Sequence, residues 1–268
     1  MPVAVSVISS VFDQPRAFRL LLAGYKRQSV RDFELVIADD GSGGETLELI
    51  ENFKRYSPFP IKYVSQENRG YRKARIVNEG VKMSEGRVII ITDGDCIPHR
   101  DFVRTVKENC SENSFCAGAT VPLPYDYCDT LTPERVEKGE FEQYLTVWKM
   151  MRLYTMHLKN KFYIAIKKKR EPKVYGRNIA VWRDTFYAVN GLDENFAGFN
   201  KEDSDLRDRL VRYGAKPICL WHKAFVFEVP NALDRRAKPA IPRDKVKSRE
   251  YYFRQGVPVR CENGLVKK

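Results

Sequence analysis

The sequence lacks any long hydrophobic run, and no apolar stretch approaches the roughly 20 residues of a membrane span. The opening MPVAVSVISSVF has neither a basic leading region nor a cleavage pattern, so it reads as a first strand and not as a signal peptide. No two of the six cysteines (Cys96, Cys110, Cys116, Cys128, Cys219, Cys261) form a CxxC pair, which argues against a zinc ribbon or a disulfide framework. Reduced thiols in a cytoplasm are the expectation. Glycine is missing from the loop after the first strand, SSVFDQPRAF, where a sugar-1-phosphate nucleotidyltransferase would carry a Gly-rich, basic loop. No internal repeat is present. Acidic charge is in deficit: 47 Lys and Arg against 35 Asp and Glu leave a net charge of +12. That excess suggests an anionic partner. It is spread through loops and the tail rather than gathered in a stripe with interleaved aromatics, so nucleic acid is not the expected one.

What is present is a chain of 268 residues, 43% hydrophobic and 31% charged, long enough for a sizeable core. The first hundred residues alternate. Val3 to Val11 is a β-branched strand, and Pro15 to Gln28 has helical spacing with proline at its start, where a missing N–H costs nothing. Phe33 to Asp39 is a second strand, Glu45 to Tyr56 a helix, Ile61 to Gln66 a third strand, Arg72 to Ser84 a helix and Arg87 to Asp93 a fourth strand. Nearly continuous apolar strands alternating with helices predict a mostly parallel sheet covered on both faces. Beyond Arg100 the rhythm loosens. Asp101 to Asn109 is a helix, and Pro133 to Lys159 is one long or broken helix whose Met and aromatic stripe is expected to pack into the core, the lesser reading being an acceptor groove or a membrane-facing surface. Ile166 to Lys173 is an exposed loop, and a second ordered block runs from Val174 to Val229.

Strands of an open parallel sheet present ligands at their carboxyl ends. The fourth strand ends in Asp93-Gly94-Asp95. Two carboxylates this close repel unless a positive charge sits near them, and a divalent cation on a diphosphate meets that need with oxygen ligands. The same residues also read as a surface turn with two solvated acids. Asp40, in ADDGSGG after the second strand, can accept the N3–H of a uracil, or belong to an ordinary Asp-Gly turn capped by Ser42 or Asp40. Ser10 and Phe12, where the first strand ends, offer a hydroxyl and a ring to a base. Arg72, Lys73 and Arg75 follow the third strand and would face phosphates bound over the two aspartates. Four consecutive strand ends thus carry base-, ribose-, phosphate- and metal-type groups.

These segments resemble family 2 of the nucleotide-sugar glycosyltransferases. VSVISSVFDQP is similar to its opening strand, FELVIADDGSGGET to its second-strand signature and DGDCIPHRDFV to its DxD segment. The block Gly176 to Gly214 is similar to the C-terminal module of galactosyltransferase-like members. The resemblance implies the α/β GT-A fold, a Rossmann-like, mostly parallel sheet with helices on both faces. It implies one domain over residues 1–229, divided into a nucleotide-binding half (1–100) and an acceptor and catalytic half (101–229), followed by a basic extension (230–268). It implies that Asp40 contacts uracil, Asp93 the ribose, and Asp95 a Mn²⁺ or Mg²⁺ on the diphosphate. It makes Asp203 the general base, with Glu202 beside it on sugar or acceptor hydroxyls. Related sequences place a metal-ligating His after the next strand. This chain has Glu228 there and His222 six residues earlier, so both are candidates to complete the metal site.

The implied activity is inverting, metal-dependent transfer from a UDP-sugar to a hydroxyl of a glycan or lipid-linked glycan, in the biosynthesis of a polysaccharide, lipopolysaccharide or other glycan. The weighed alternatives are a sugar-1-phosphate nucleotidyltransferase, a non-catalytic basic nucleic-acid-binding protein and a glycosyltransferase fold without activity. The tail segment Arg235 to Arg249 carries seven basic residues, enough to hold a cytoplasmic enzyme peripherally against an acidic membrane surface. The same segment also reads as a solvated, partly wrapped extension.

Overall fold

The computed structural model describes residues 3–196, 201–230 and 243–267. Its first half repeats strand and helix as expected: β1 (Val5–Val11), α1 (Pro15–Lys26), β2 (Phe33–Asp39), α2 (Gly44–Tyr56), β3 (Ile61–Ser65), α3 (Lys73–Met83) and β4 (Val88–Asp93). Pro15 starts α1 at its first turn. Then come β5 (Cys96–Pro98), α4 (Phe102–Asn109), β6 (Ser114–Ala117), β7 (Ala119–Pro122), α5 (Tyr125–Thr130), α6 (Pro133–Glu137), a 3₁₀ turn (Glu140–Tyr144) and α7 (Val147–Ala165). The chain continues with β8 (Ile179–Trp182), α8 (Arg183–Ala188), α9 (Glu202–Tyr213), β9 (Lys216–Cys219), β10 (Phe225–Glu228) and α10 (Arg243–Tyr252).

Seven strands form one sheet in the order β3-β2-β1-β4-β8-β6-β9. The four on the β3 side are parallel, and β8 runs antiparallel to both β4 and β6. Side chains alternate between its faces. Val5, Val7 and Val11 join one core with Phe18, Leu21 and Phe102, whereas Ile8 joins a second with Ile76, Val77 and Phe186. Both faces are therefore dry, so β1 and β2 read as nearly continuous buried strands, and polar residues within them pair, as the Ser6 hydroxyl does with Glu34 at 2.5 Å. A second sheet, β5-β10-β7, lies beyond β4. The register aligns the carboxyl ends: Ser10 stands opposite Ala38 on one side and Asp93 on the other, and Val11 opposite Asp39.

The region after residue 122 meets one expectation and departs from another. The helix over Pro133 to Lys159 is broken: Gly139 takes a left-handed φ of 80° after α6, and the Thr146 hydroxyl accepts from the Lys149 N–H to start a separate α7 that runs on to Ala165. The stripe of that helix packs into the core only in part, against expectation. Leu153, Met156, His157, Asn160 and Ile164 face the protein, while Trp148, Met151, Tyr154, Leu158 and Phe162 are exposed. Periodicity marks a stripe; it does not say which side of the helix meets the body. The loop that follows is exposed from Ile166 to Arg170 as expected, and only its Pro172 is buried.

Of the basic tail segment, residues 235–242 lie outside those described. The later part of the extension packs back on the domain, where the Asn190 amide bonds the carbonyls of Cys261 and Val266, both at 2.8 Å. Tyr252 meets α9 through Asp208 at 2.6 Å.

Candidate active site

Three strand ends and one helix start converge. A cavity of about 510 Å³ opens at the carboxyl ends of β1, β2 and β4, lined by Ser10, Phe12, Asp40, Lys73, Asp93 and Asp95 among others. Of the candidate nucleotide-binding residues Arg72 and Arg75 are not in this wall. The Arg72 guanidinium turns to the Glu67 carbonyl, and Arg75 is exposed on the outer side of α3.

Asp40 is buried and already serves the turn. Its oxygens accept from the Gln66 amide at 2.6 Å and the Arg72 N–H at 3.1 Å. The turn beside it requires glycine: Gly41 has φ of 88°, and a Cβ there would meet the Asn68 nitrogen at 2.5 Å. Neither Asp40 nor Ser42 caps α2, whose N-cap is Gly43. Asp39 holds the turn instead, accepting from the Ser42 hydroxyl at 2.6 Å and the Tyr63 hydroxyl at 2.9 Å.

The Asp93-Gly94-Asp95 turn sits against β1. The Gly94 N–H donates to the Ser10 carbonyl at 2.7 Å, and a Cβ on Gly94 would come within 3.0 Å of that oxygen. The Ser10 hydroxyl donates to Asp93 at 3.2 Å. Lys73, buried at the start of α3, forms an ion pair with Asp93 and donates to the Gly176 carbonyl at 3.2 Å. Burial opposes its charge, but Asp93, Tyr71 and Glu202 outweigh that, so its pKa is raised. Among the described residues Asp95 has no such cation in contact. Burial, then the charge of Asp93, push its pKa up to about 6, and Glu228 adds to the shift while Arg177 opposes it.

Glu228 ends β10 beside this turn, since the next residue, Val229, donates its N–H to the Asp95 carbonyl at 2.8 Å. Its carboxylate is ion-paired with Arg177. His222 is elsewhere. Its ring lies against that of His157 of α7, tilted by 40° with centroids 3.9 Å apart, and burial followed by that neighbour lowers its pKa to about 4.

Glu202 and Asp203 begin α9, where acidic residues suit the positive end of the helix dipole. Asp203 accepts from the Gly176 N–H at 2.9 Å and the Ser204 N–H at 2.6 Å. Glu202 is 7% exposed, and its Oε2 is buried without a hydrogen-bond partner among the described residues. Burial raises its pKa to about 7; Lys73 works against that rise, and Asp203 and Asp93 add to it. Gly176 thus ties the two halves, its carbonyl to Lys73 and its N–H to Asp203.

A second cavity, about 450 Å³, adjoins through Arg177 and Glu228 and is walled by Tyr175, Trp221 and the inner side of α7 (Lys149, Arg152). Tyr175 and Trp221 lie 5.8 Å apart by ring centroid, and among the described residues the buried Trp221 indole N–H has no partner. Sequence reasoning gave no role to Gly176, Arg177, Tyr175 or Trp221. They are far from the DxD segment along the chain, and only the pairing of β8 with β4 and of β10 with β5 brings them near. A larger cavity, about 990 Å³, lies between the end of α7 and α9 and touches none of the candidate residues.

Known proteins of similar sequence and shape carry this arrangement further. The chain is 24% identical over 229 residues to chondroitin synthase of Escherichia coli, covering 78% of this chain and 32% of that protein. It is 24% identical over 248 residues to validoxylamine A glucosyltransferase of Streptomyces hygroscopicus subsp. jinggangensis, covering 85% of this chain and 56% of that one. The chain therefore spans only about a third to a little over half of these relatives. In shape it is similar to the mannosyltransferase PcManGT of Pyrobaculum calidifontis, solved with GDP-Man and Mn²⁺, with a TM-score of 0.60 at 17% identity over 94% of this chain and 70% of that one. It is also similar to S. aureus TarS 1-349, solved with UDP-GlcNAc, with a TM-score of 0.57 at 15% identity over 93% and 65%. At those identities the likeness speaks to the fold, which is GT-A. The description "N-terminal domain of galactosyltransferase" matches residues 157–235, around Gly176 and the Glu202-Asp203 pair. That of glycosyl transferase family 2 matches residues 6–175, well over half of the chain and all of the strands that build the cavity around Asp95. With its profile laid over those strand ends, the chain belongs to glycosyl transferase family 2 and is a glycosyltransferase.

Proposed function

We propose that this glycosyltransferase moves a sugar from a UDP-sugar to a hydroxyl of a glycan or lipid-linked glycan with inversion at the anomeric carbon. The observation that carries the reading is the bridge at Gly176. It ties the phosphate side of the donor cavity, Lys73 and Asp93, to a carboxylate pair, Glu202 and Asp203, at the start of α9.

The donor set suits a hard divalent cation. Asp93 and Asp95 offer carboxylate oxygens, and Asp95 carries a charge that its burial and its acidic neighbours disfavour and a cation would relieve. Among the described residues no three His, Cys, Asp or Glu side chains converge as a ready cage. Mn²⁺ or Mg²⁺ would therefore rest on Asp95, with Asp93 beside it, and take its other ligands from the diphosphate. Bound there, it would neutralise the charge developing on the leaving diphosphate. Glu228 is the nearer of the two further candidate ligands and is engaged by Arg177.

The chain's own groups supply the rest. Phe12, 45% exposed at the cavity rim, offers a face to the base, and Asp40 retains lone pairs for a base N–H. Lys73 holds Asp93 and adds positive charge beside the phosphates. Asp203, its orientation set by two backbone N–H groups, takes the proton of the acceptor hydroxyl as that oxygen attacks in line. Glu202 binds a hydroxyl of donor or acceptor with its unpartnered oxygen. The acceptor sugar would lie in the second cavity, on the Tyr175 and Trp221 rings.

A thermal-shift titration with UDP, GDP, dTDP and CDP, each with and without Mn²⁺, tests the reading, since a ligand that binds only the folded state raises the melting temperature. A rise with UDP that requires the metal supports it. A rise with another nucleotide moves the donor, and no rise with any of the four overturns the donor site. The configuration of the product's anomeric proton, read by NMR, then tests inversion.

A further inference from the structure

The outward face of α7 has no counterpart in the reaction. Val147, Met151, Tyr154, Leu158 and Phe162 recur at intervals of four, three, four and four residues, and so share one side of the helix. All are exposed, Phe162 by 60%, and Trp148 at the edge of the face is exposed by 79%. At about 1.5 Å per residue the 19 residues of α7 extend this stripe over roughly 28 Å. Isolated exposed apolar side chains are ordinary, but a continuous face of this length marks an interaction site.

Charge identifies the occupant. α7 contains no acidic residue, and Lys159 and Lys161, both exposed, flank the apolar face. Directly after it come Lys167, Lys168, Lys169 and Arg170, all exposed. This basic run continues around the 990 Å³ cavity with Arg212 and Arg254, where the acids are Glu171 and Asp208. A second copy of the chain would set one such basic surface against another. Nucleic acid would meet the charge but offers no apolar phase for Trp148, Leu158 and Phe162. A bilayer surface with anionic headgroups meets both, because Trp, Phe and Leu enter the headgroup boundary while Lys and Arg pair with lipid phosphates. Among the described residues no helix is long and apolar enough to cross a membrane, so the contact is a surface one.

We propose that α7 lies on an anionic membrane surface through the face of Met151, Leu158 and Phe162, with Trp148 and the basic run from Lys167 to Arg170 beside it. This site is distinct from the basic segment of the tail. It stands without the assignment of donor or acceptor. If the acceptor assignment holds as well, the inner side of the same helix, Lys149 and Arg152, brings the acceptor cavity to the lipid surface.

Co-sedimentation of the full chain with vesicles of phosphatidylcholine, alone or with 30 mol% phosphatidylglycerol (roughly the range of acidic membranes), tests the proposal. The chain is expected to bind the anionic vesicles, weakly or not at all the neutral ones, and less as salt rises. Trp148→Glu/Phe162→Glu should lower the partition coefficient at least tenfold with the melting temperature unchanged, since both side chains are exposed. Replacing Arg235, Arg236 and Lys238 together by serine should leave binding in place. Vesicles should also shift the tryptophan emission to the blue in the wild type and not in Trp148→Phe. Undiminished binding by the double glutamate variant, or binding lost on substitution of the tail alone, would overturn the proposal. So would light scattering that shows a dimer split by the same double variant in a chain that ignores vesicles.

Discussion

Lys73 and Asp93 form an ion pair whose lysine also reaches the Gly176 carbonyl at 3.2 Å, so one ammonium joins α3, the end of β4 and the segment leading into β8. Its charge is the only one of the three basic candidates after β3 that enters the donor cavity wall. Lys73→Met leaves Asp93 beside Asp95 and Glu202 with no cation in contact among the described residues. Breaking a largely buried pair from one side costs about 3 kcal/mol. The expected result is a lower urea midpoint and UDP affinity reduced at least tenfold; a variant with unchanged midpoint and affinity would show that the pair is idle.

Asp95 should answer to pH and to metal together. Its folded pKa, about 6, stands above the ordinary carboxylate value, so between about pH 4 and pH 6 the folded chain holds a proton there that a free Asp has lost. Mn²⁺ must displace that proton, and its affinity is expected to fall as pH drops from 7.5 to 5.5. Isothermal titration at the two values reads this directly. Asp95→Asn should abolish metal-dependent UDP binding while keeping the fold, and wild-type-like affinity in that variant would remove Asp95 from the metal site.

Glu202 and Asp203 separate by function. Asp203→Asn is expected to keep UDP binding and reduce transfer by at least a hundredfold, the low end for loss of a general base. Retained turnover would pass the role to Glu202. Glu202 makes its own prediction in stability. Its pKa is raised from the usual carboxylate range to about 7, so its burial is tolerated below the unfolded value and disfavours folding as pH rises through 7. The difference is on the order of 3 kcal/mol between the two limits. Wild type should therefore lose stability relative to Glu202→Gln between pH 5 and pH 8 in parallel thermal melts. Equal pH dependence in the two chains would contradict it.

Arg177 holds Glu228 beside Asp95 and brings a positive charge toward the same point. Arg177→Gln removes that charge and releases Glu228 as an oxygen ligand. Mn²⁺ alone, without nucleotide, is expected to bind the variant at least fivefold more tightly, since removing a nearby like charge lowers the cost of bringing in a cation. Unchanged or weaker binding, measured by electron paramagnetic resonance of free Mn²⁺, would mean that Arg177 does not compete for the site.

The first half of this protein was legible residue by residue because its signals are local. An apolar run that ends in Asp93-Gly94-Asp95 can be read as a buried strand arriving at a ligand edge, and β1 to β4 follow that reading nearly to the residue. Family membership also sets aside the nucleotidyltransferase and nucleic-acid readings, as the missing glycine after β1 and the scattered charge suggested. The site residues that the chain hides are those placed by pairing over long separations. Arg177 and Glu228 stand 51 positions apart in the numbering and meet beside Asp95 because β8 and β10 dock on strands from the first half. Arg72 and Lys73 are neighbours of equal charge, yet the start of α3 sends one side chain to the Glu67 carbonyl and the other into the cavity. The apolar stripe of α7 is as regular in the sequence as any core stripe. Its exposure follows from a docking geometry in which Leu153, Met156 and Ile164 already fill the contact with the body, so the Trp148 and Phe162 side was left to face outward. Periodicity encodes a face, but which face the protein buries is settled by the packing of everything around it.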